Sequence, residues 1–218
     1  MLTLSMDTST EEGSVALMRG ETVVWEERFG ADRSHSATLF PLIERALSGE
    51  QGAVGRVVVG VGPGSYAGIR VSIAAAMGLA FSRDVELVGV VSVAGLRAFS
   101  SEPFLAFGDA RRGAWYWCLV QDGCCKEGPE VIEESEFAQR WAGLEGVSRI
   151  ACRTEPNWPA DAISTPSAAV LGVLAERGCS VVQRGELDPL YLREPHITQP
   201  GRKAAVFGKF GAQATERV

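Results

Sequence analysis

Asp7, Thr8 and Ser9 stand together at the end of the alternating hydrophobic segment "MLTLSMDTST". A carboxylate and two hydroxyls at the tip of a strand-turn-strand can surround a phosphate while the carboxylate orients a metal-bound water. The same residues can equally cap their own turn and do nothing more. Asp109 follows a second hydrophobic segment, "PFLAFGDA", with Arg111 and Arg112 just beyond it. Two carboxylates at strand ends can do chemistry, although their spacing alone is not specific, and a small phosphotransferase using Asp7 and Asp109 around Mg-ATP is one reading of them. Histidine offers less. Only His35 and His196 are present, and a helical metal site on His35 needs a second ligand one turn on, where Leu39 stands. That spacing disfavours a metallopeptidase.

The stretch "GVGPGSYAGIRVSIAAAMGLAF", residues 60–81, has the glycine content of a phosphate loop but not its spacing. Gly62, Gly64 and Gly68 run one residue too long for the dinucleotide fingerprint, and the lysine of a P-loop is missing. Pro63 occupies the place where a nucleophile elbow around Ser65 needs its first glycine. A turn that lets a strand and a helix pack closely remains, with free N–H groups that could in principle receive an anion.

The helix expected after this turn, from about Gly68 to Ser82, carries Arg70 as its only charge and is apolar on every side. A helix lying on a sheet buries one stripe and shows charge elsewhere, so a second surface must cover this one. The stripe with Arg70, Ala74, Met77 and Phe81 is expected to face outward, because the arginine can reach a rim. The preceding helix has a broad apolar arc of Leu39, Phe40, Ile43 and Leu47, so the two helices are expected to share one association patch.

The elements around these residues follow from periodicity. Three antiparallel strands open the chain, with Arg19-Gly20 as a hairpin turn. A helix follows, starting near Ser34 or Ser36 and holding Pro41, then a buried strand ("RVVVGVG"), the glycine turn and its helix, another buried strand ("VELVGVV") and a short helix capped by Ser92. From Ser101 a second unit of hairpin strands, helix, strand and helix repeats the order, with Pro166 and Gly178 bracketing the last helix. The expected architecture is α/β: an N-terminal lobe over 1–100, a smaller lobe over 101–195, and a loosely held tail over 196–218.

The chain has 218 residues, 46% of them hydrophobic, and a net charge of −6. Such a composition supports a buried core and shows no electrostatic footprint for strong direct nucleic-acid binding. The longest apolar run is too short to cross a bilayer. The first residues read as a strand and not as a leader, so a cytoplasmic protein is expected. Five cysteines without a C-x-x-C pair suggest reduced thiols, with neither a disulfide framework nor zinc.

As a set, "MDTSTEEGSVAL", "HSATLFPLIERAL", "GPGSYAGIRVSIAAAMGLA", "GVVSV", "DARRGAWYW" and "PLYLRE" resemble the TsaB (YeaZ) family of tRNA threonylcarbamoyladenosine biosynthesis proteins, from Leu2 to about Glu194. The resemblance implies an actin-like ATPase (ASKHA, ribonuclease H-like) fold in two lobes without independent catalysis. It implies a TsaD-like partner that, with a TsaE-like ATPase, transfers a threonylcarbamoyl group to N6 of adenosine 37 in tRNAs reading codons that begin with A. It also implies pairing with that partner, or with a second copy when alone, through the two N-terminal helices. On that reading Leu39, Phe40, Ile43, Leu47, Arg70, Ala74, Met77 and Phe81 form the interface, and Asp7, Thr8, Ser9 and Asp109 are a vestigial phosphate site. No cofactor is required by this chain, with ATP and metal on the partner subunits. The chain lacks the paired-histidine motif of TsaD-like proteins, and "RTEPNWPADA" stands where an adenosine-binding Gly-Gly would be sought.

Overall fold

The first sheet is built on β1 (Leu2–Asp7), all six residues of which are buried. The computed structural model describes residues 1–30, 35–48 and 53–193; the proposed tail, His196 and Ser34 lie outside them. β1 pairs antiparallel with β2 (Glu12–Arg19), and β2 antiparallel with β3 (Thr22–Gly30). On its other side β1 runs parallel to β4 (Val54–Gly60), and β4 parallel to β5 (Glu86–Val90). The spatial order β5-β4-β1-β2-β3 is extended by β11 (Val181–Arg184) beside β5.

Period-2 alternation sends Leu2, Leu4 and Met6 of β1 to one face, where they meet α1 (His35–Ser48) and α2 (Tyr66–Arg83) in one core. α1 buries Leu39, Leu42, Ile43 and Ala46, a single helical stripe. His35 is its first residue and Ser36 lies in its first turn rather than capping it. Thr3 and Ser5 face the opposite side, and small residues there let α4 (Ala168–Arg177) approach closely: the Ser5 hydroxyl donates to the Ala168 carbonyl at 2.6 Å. A Cβ on Gly172 of α4 would lie 2.9 Å from Met18. Ser92 does not cap a helix; it sits inside a buried 3₁₀ turn, Ser92–Leu96.

The second sheet repeats the first. β6 (Phe104–Asp109) pairs antiparallel with β7 (Ala114–Gln121), β7 with β8 (Cys124–Glu133), and β6 runs parallel to β9 (Ser148–Ala151), which is parallel to β10 (Ala162–Ile163). Its order, β10-β9-β6-β7-β8, matches the β5-β4-β1-β2-β3 part of the first sheet with β6 in the role of β1, and no strand takes the place of β11. The helix of this unit, α3 (Glu134–Ala142), closes an aromatic core around Phe137 on one face. The other face joins Val88, Val90, Leu171 and Leu174 in a core shared by both lobes.

The chain order within the second lobe differs from a division at Ser101. α4 packs on β1, β2 and β4, and β11 lies in the first sheet, so both belong to the first lobe. The second lobe is an insertion whose two connections adjoin: the Ser164 hydroxyl donates to the Leu96 carbonyl at 2.8 Å, and Ser167 N–H to the Gly95 carbonyl at 3.0 Å. No helix among the described residues is long and apolar enough to cross a membrane.

Candidate functional site

Asp7 ends β1 in the interior, fully buried. Its Oδ1 accepts from Ser9 N–H at 2.8 Å and from the Ser9 hydroxyl at 2.6 Å, so the turn is capped by its own side chains. Oδ2 is buried without a hydrogen-bond partner, the Ser92 hydroxyl lying close but outside hydrogen-bond geometry. Thr8 and Ser9 are spent on α2: the Thr8 hydroxyl donates to the Gly68 carbonyl at 2.7 Å, and the Ser9 carbonyl accepts from Ser65 N–H at 2.6 Å.

Those contacts explain the glycines. A Cβ on Gly64 would stand 2.1 Å from the Ser9 carbonyl oxygen, and one on Gly68 2.0 Å from that of Thr8. Their absence lets the start of α2 lie directly on the β1–β2 turn. Gly68→Ala must push helix and turn apart, and the expected cost is about 1–3 kcal/mol, read as a lowered thermal midpoint. An unchanged midpoint would show that the close approach is not required.

Burial raises the Asp7 carboxyl above its ordinary range, against the Ser9 and Ser92 hydroxyls and His35, which favour the charged form. The folded chain therefore holds this proton more tightly than the unfolded chain does. The resulting stability is complete below the ordinary carboxylate value and is lost as pH rises through the raised folded value. Asp7→Asn keeps an acceptor for Ser9 without the buried charge. It is expected to raise the thermal midpoint at pH 7, with the difference closing towards about pH 4; a lower midpoint at pH 7 would show the charged form to be the favoured one.

A cleft of about 670 Å³ opens between the lobes, lined among others by Ser9, Ser65, Tyr66, Asp109, Arg153 and Tyr191. Asp109 is committed within it. Its Oδ1 accepts from Arg111 N–H at 2.6 Å, and Oδ2 meets the Arg153 guanidinium at 3.1 Å. Arg153 also bonds Glu155 at 3.1 Å, whose Oε1 accepts from Asp109 N–H at 3.2 Å. Arg111 lies at 3.6 Å from Asp109, a looser pairing than that of Arg153. At the cleft floor the Tyr116 hydroxyl lies 3.7 Å from Cys152 Sγ, a thiol that burial pushes up to about 11.

An actin-like fold implies Mg-nucleotide in such a cleft, but these residues do not fit it. Gly60 and Ser92 wall off Asp7: a Cβ on Gly60 would lie 1.7 Å from its Oδ2. Asp109 meanwhile is neutralised by Arg153. The segment 153–162, where a Gly-Gly would be sought, instead gives Arg153 and Glu155 to Asp109 and Trp158 to the aromatic core.

α2 presents the other candidate surface. Ser65 caps it, and Asp84 closes it in a left-handed conformation. Ile69, Ile73, Ala76 and Ala80 face the core, whereas Arg70 and Ala74 are exposed and Phe81 is 92% exposed. Met77 is half-buried against the core. On α1, Phe40 is 54% exposed and Leu47 half-buried. Leu39 and Ile43, expected on the association patch, point instead into the chain's own core, at 0% and 7% exposure. They belong to the row that seats α1 on the sheet, one helical step from Phe40.

Arg70, in the first turns of α2, is held by two tyrosines. Its guanidinium lies 4.0 Å over the Tyr66 ring and its Nε donates to the Tyr191 hydroxyl at 2.6 Å, with the two tyrosines stacked at 4.8 Å. Residue type and spacing mark neither tyrosine: the segment "PLYLRE" holding Tyr191 has no period of its own. Gly78, in the outward part of α2, has nothing within 4 Å of where a Cβ would stand.

A family model described as "TsaD: tRNA N6-adenosine threonylcarbamoyltransferase" matches residues 29–134. The chain is 34% identical over 164 residues to the tRNA threonylcarbamoyladenosine biosynthesis protein TsaB of Haemophilus influenzae, a match covering 70% of this chain and 64% of that one, just under two thirds of its length. It is 32% identical over 205 residues to an uncharacterized protein of Mycobacterium bovis, covering 88% of this chain and 92% of that one. Among solved structures it is similar to an uncharacterized protein with similarity to peptidase YeaZ from Pseudomonas aeruginosa, with a TM-score of 0.68 and 25% identity over 88% of this chain and 99% of that one.

Proposed function

This chain belongs to the TsaB (YeaZ) family with an actin-like ATPase fold, and on that premise we propose that it is a noncatalytic subunit of the complex that makes N6-threonylcarbamoyladenosine at position 37 of tRNA. It binds a TsaD-like catalytic subunit and holds it in its active form, with a TsaE-like ATPase in the same assembly. The observation that carries this reading is the outward face of α2: an almost uncharged surface ending in a phenylalanine that is 92% exposed. Phe40 of α1 continues it. Gly78 supports it too, since a glycine inside a helix costs about 0.5–1 kcal/mol against alanine, and nothing within the chain uses the space it leaves.

The partner supplies the nucleotide, the metal and the main contact with tRNA, and the subunit works in the cytoplasm. Alone, the chain covers the same face with a second copy. A phosphotransferase built on Asp7 and Asp109 has the weaker support, because one carboxylate is sealed in the core and the other is paired with Arg153. Size-exclusion chromatography of the chain alone and mixed with a TsaD-like protein tests the reading. A stoichiometric complex is expected, and two independent peaks would overturn it.

A further inference from the structure

Arg70 is the only charged residue between Tyr66 and Ser82 of α2, and its guanidinium is fixed in the free chain. It lies 4.0 Å over the ring of Tyr66, one helical turn back, and its Nε donates to the Tyr191 hydroxyl at 2.6 Å. Tyr191 stacks on Tyr66 at 4.8 Å, with 22° between the ring planes. The segment after β11 brings it there: Leu187 is buried in the first core, and Leu190 N–H donates to the Val61 carbonyl at 2.7 Å, beside the turn that precedes α2. A rotamer-rich side chain is thus already ordered, and a partner does not have to order it.

The contacts of Arg70 among the described residues are these two tyrosines, and neither brings a carboxylate. Arg70 stays exposed, and with Nε spent on Tyr191 its two terminal nitrogens have no hydrogen-bond partner among the described residues. A helix laid on this face takes those nitrogens out of water, and a guanidinium so covered needs a carboxylate on its fork. α2 itself, Tyr66–Arg83, contains no Asp or Glu, so a second α2 packed against the first brings none along its length.

We propose that Arg70, positioned by Tyr191 and Tyr66, is the charged anchor of the α2 face and selects a TsaD-like partner that presents an aspartate or glutamate to it. The reading of α2 as the partner surface, on which this inference rests, says where the partner sits; the anchor says by what chemistry it is recognised. Any apolar helix of suitable shape can cover an apolar face, whereas a fixed guanidinium disfavours every partner that leaves it unpaired. Arg70 touches the partner. Tyr191 acts through Arg70, from 121 residues away in the chain, and is a positioning residue.

Calorimetry of the full chain with a TsaD-like subunit, at low and at high salt, tests the anchor. Arg70→Gln should weaken binding by roughly 10–100-fold at low salt and by less at high salt, with the midpoint of the isolated chain nearly unchanged. Tyr191→Phe keeps the stacked ring and removes the acceptor for Nε. It should weaken binding of the otherwise unaltered chain and add nothing in the Arg70→Gln background, which a merely structural role would not produce. Arg70→Glu should lose binding, and changing one Asp or Glu of the partner to Lys should restore it. Undiminished binding by Arg70→Gln, with Ala74→Glu still abolishing it, overturns the anchor and leaves the α2 interface standing; undiminished binding by both variants removes the interface itself. A scan of the partner's carboxylates that finds no restoring variant also overturns the proposal. So does an Arg70→Gln variant that dissolves a homodimer but keeps the mixed complex, which assigns the carboxylate to a second copy, whose α1 carries Glu44.

Discussion

Ala74→Glu is expected to weaken association with a TsaD-like subunit by roughly 100-fold or more, equivalent to about 2.7 kcal/mol, while leaving the isolated chain's midpoint nearly unchanged. The two effects separate because the Ala74 side chain is exposed in the free molecule and sits between Arg70 and Phe81 on the outward face of α2. In water the added carboxylate is solvated and costs almost nothing. Under a partner helix it would lose that solvation without a counter-charge, a penalty of several kcal/mol. Isothermal calorimetry or sizing of the mixture reads the first effect, and thermal denaturation of the single chain reads the second. Undiminished binding would remove α2 from the interface.

Phe137→Ala is expected to cost about 3–5 kcal/mol of stability. Phe137 is the one buried residue of α3, at 0% exposure. Its ring lies 5.2 Å from Trp115, 5.7 Å from Trp117, 5.5 Å from Trp141 and 4.8 Å from Trp158, with Phe107 at 6.0 Å. Deleting it leaves a cavity that four rigid indoles cannot fill by small rotations, and removes what seats α3 on the second sheet. Because four of the five tryptophans line this core, intrinsic fluorescence during denaturant unfolding reports the loss. A shift below about 1 kcal/mol would mean that α3 is held by its exposed ion pairs instead, among them Arg140 with Glu130 and Glu136.

The helices and central strands were legible because their residues obey one period over many positions. Leu39, Leu42, Ile43 and Ala46 announce α1, and the valines of β4 announce a strand buried on both faces. β8 escaped because "CCKEGPEVIE" is an edge strand, only partly covered, with Gly128 and Pro129 interrupting any alternation. β10 and β11 are too short to show a period. The site was half legible for a related reason. Asp7 and Asp109 could be picked out as carboxylates at strand ends, but their environment comes from elsewhere: Gly60 and Ser92 enclose one, and Arg153 and Glu155, more than forty residues on, hold the other. The division between Leu39, which faces inward, and Phe40, which faces outward, depends on how α1 rolls against β2 and α2, which periodicity narrows to an arc without choosing within it.

The placement of α4 and β11 bears on how the molecule is made. A ribosome releases five of the six strands of the first sheet, β1 to β5, before it has read any of α4, so Thr3, Ser5, Met18 and Val58 wait without their cover. At ordinary translation speeds the intervening residues take roughly 4–15 s. During that interval the nascent N-terminal portion is half a sandwich, exposed to solvent and chaperones, while the inserted portion has its own aromatic centre complete. The region that begins first is therefore finished last.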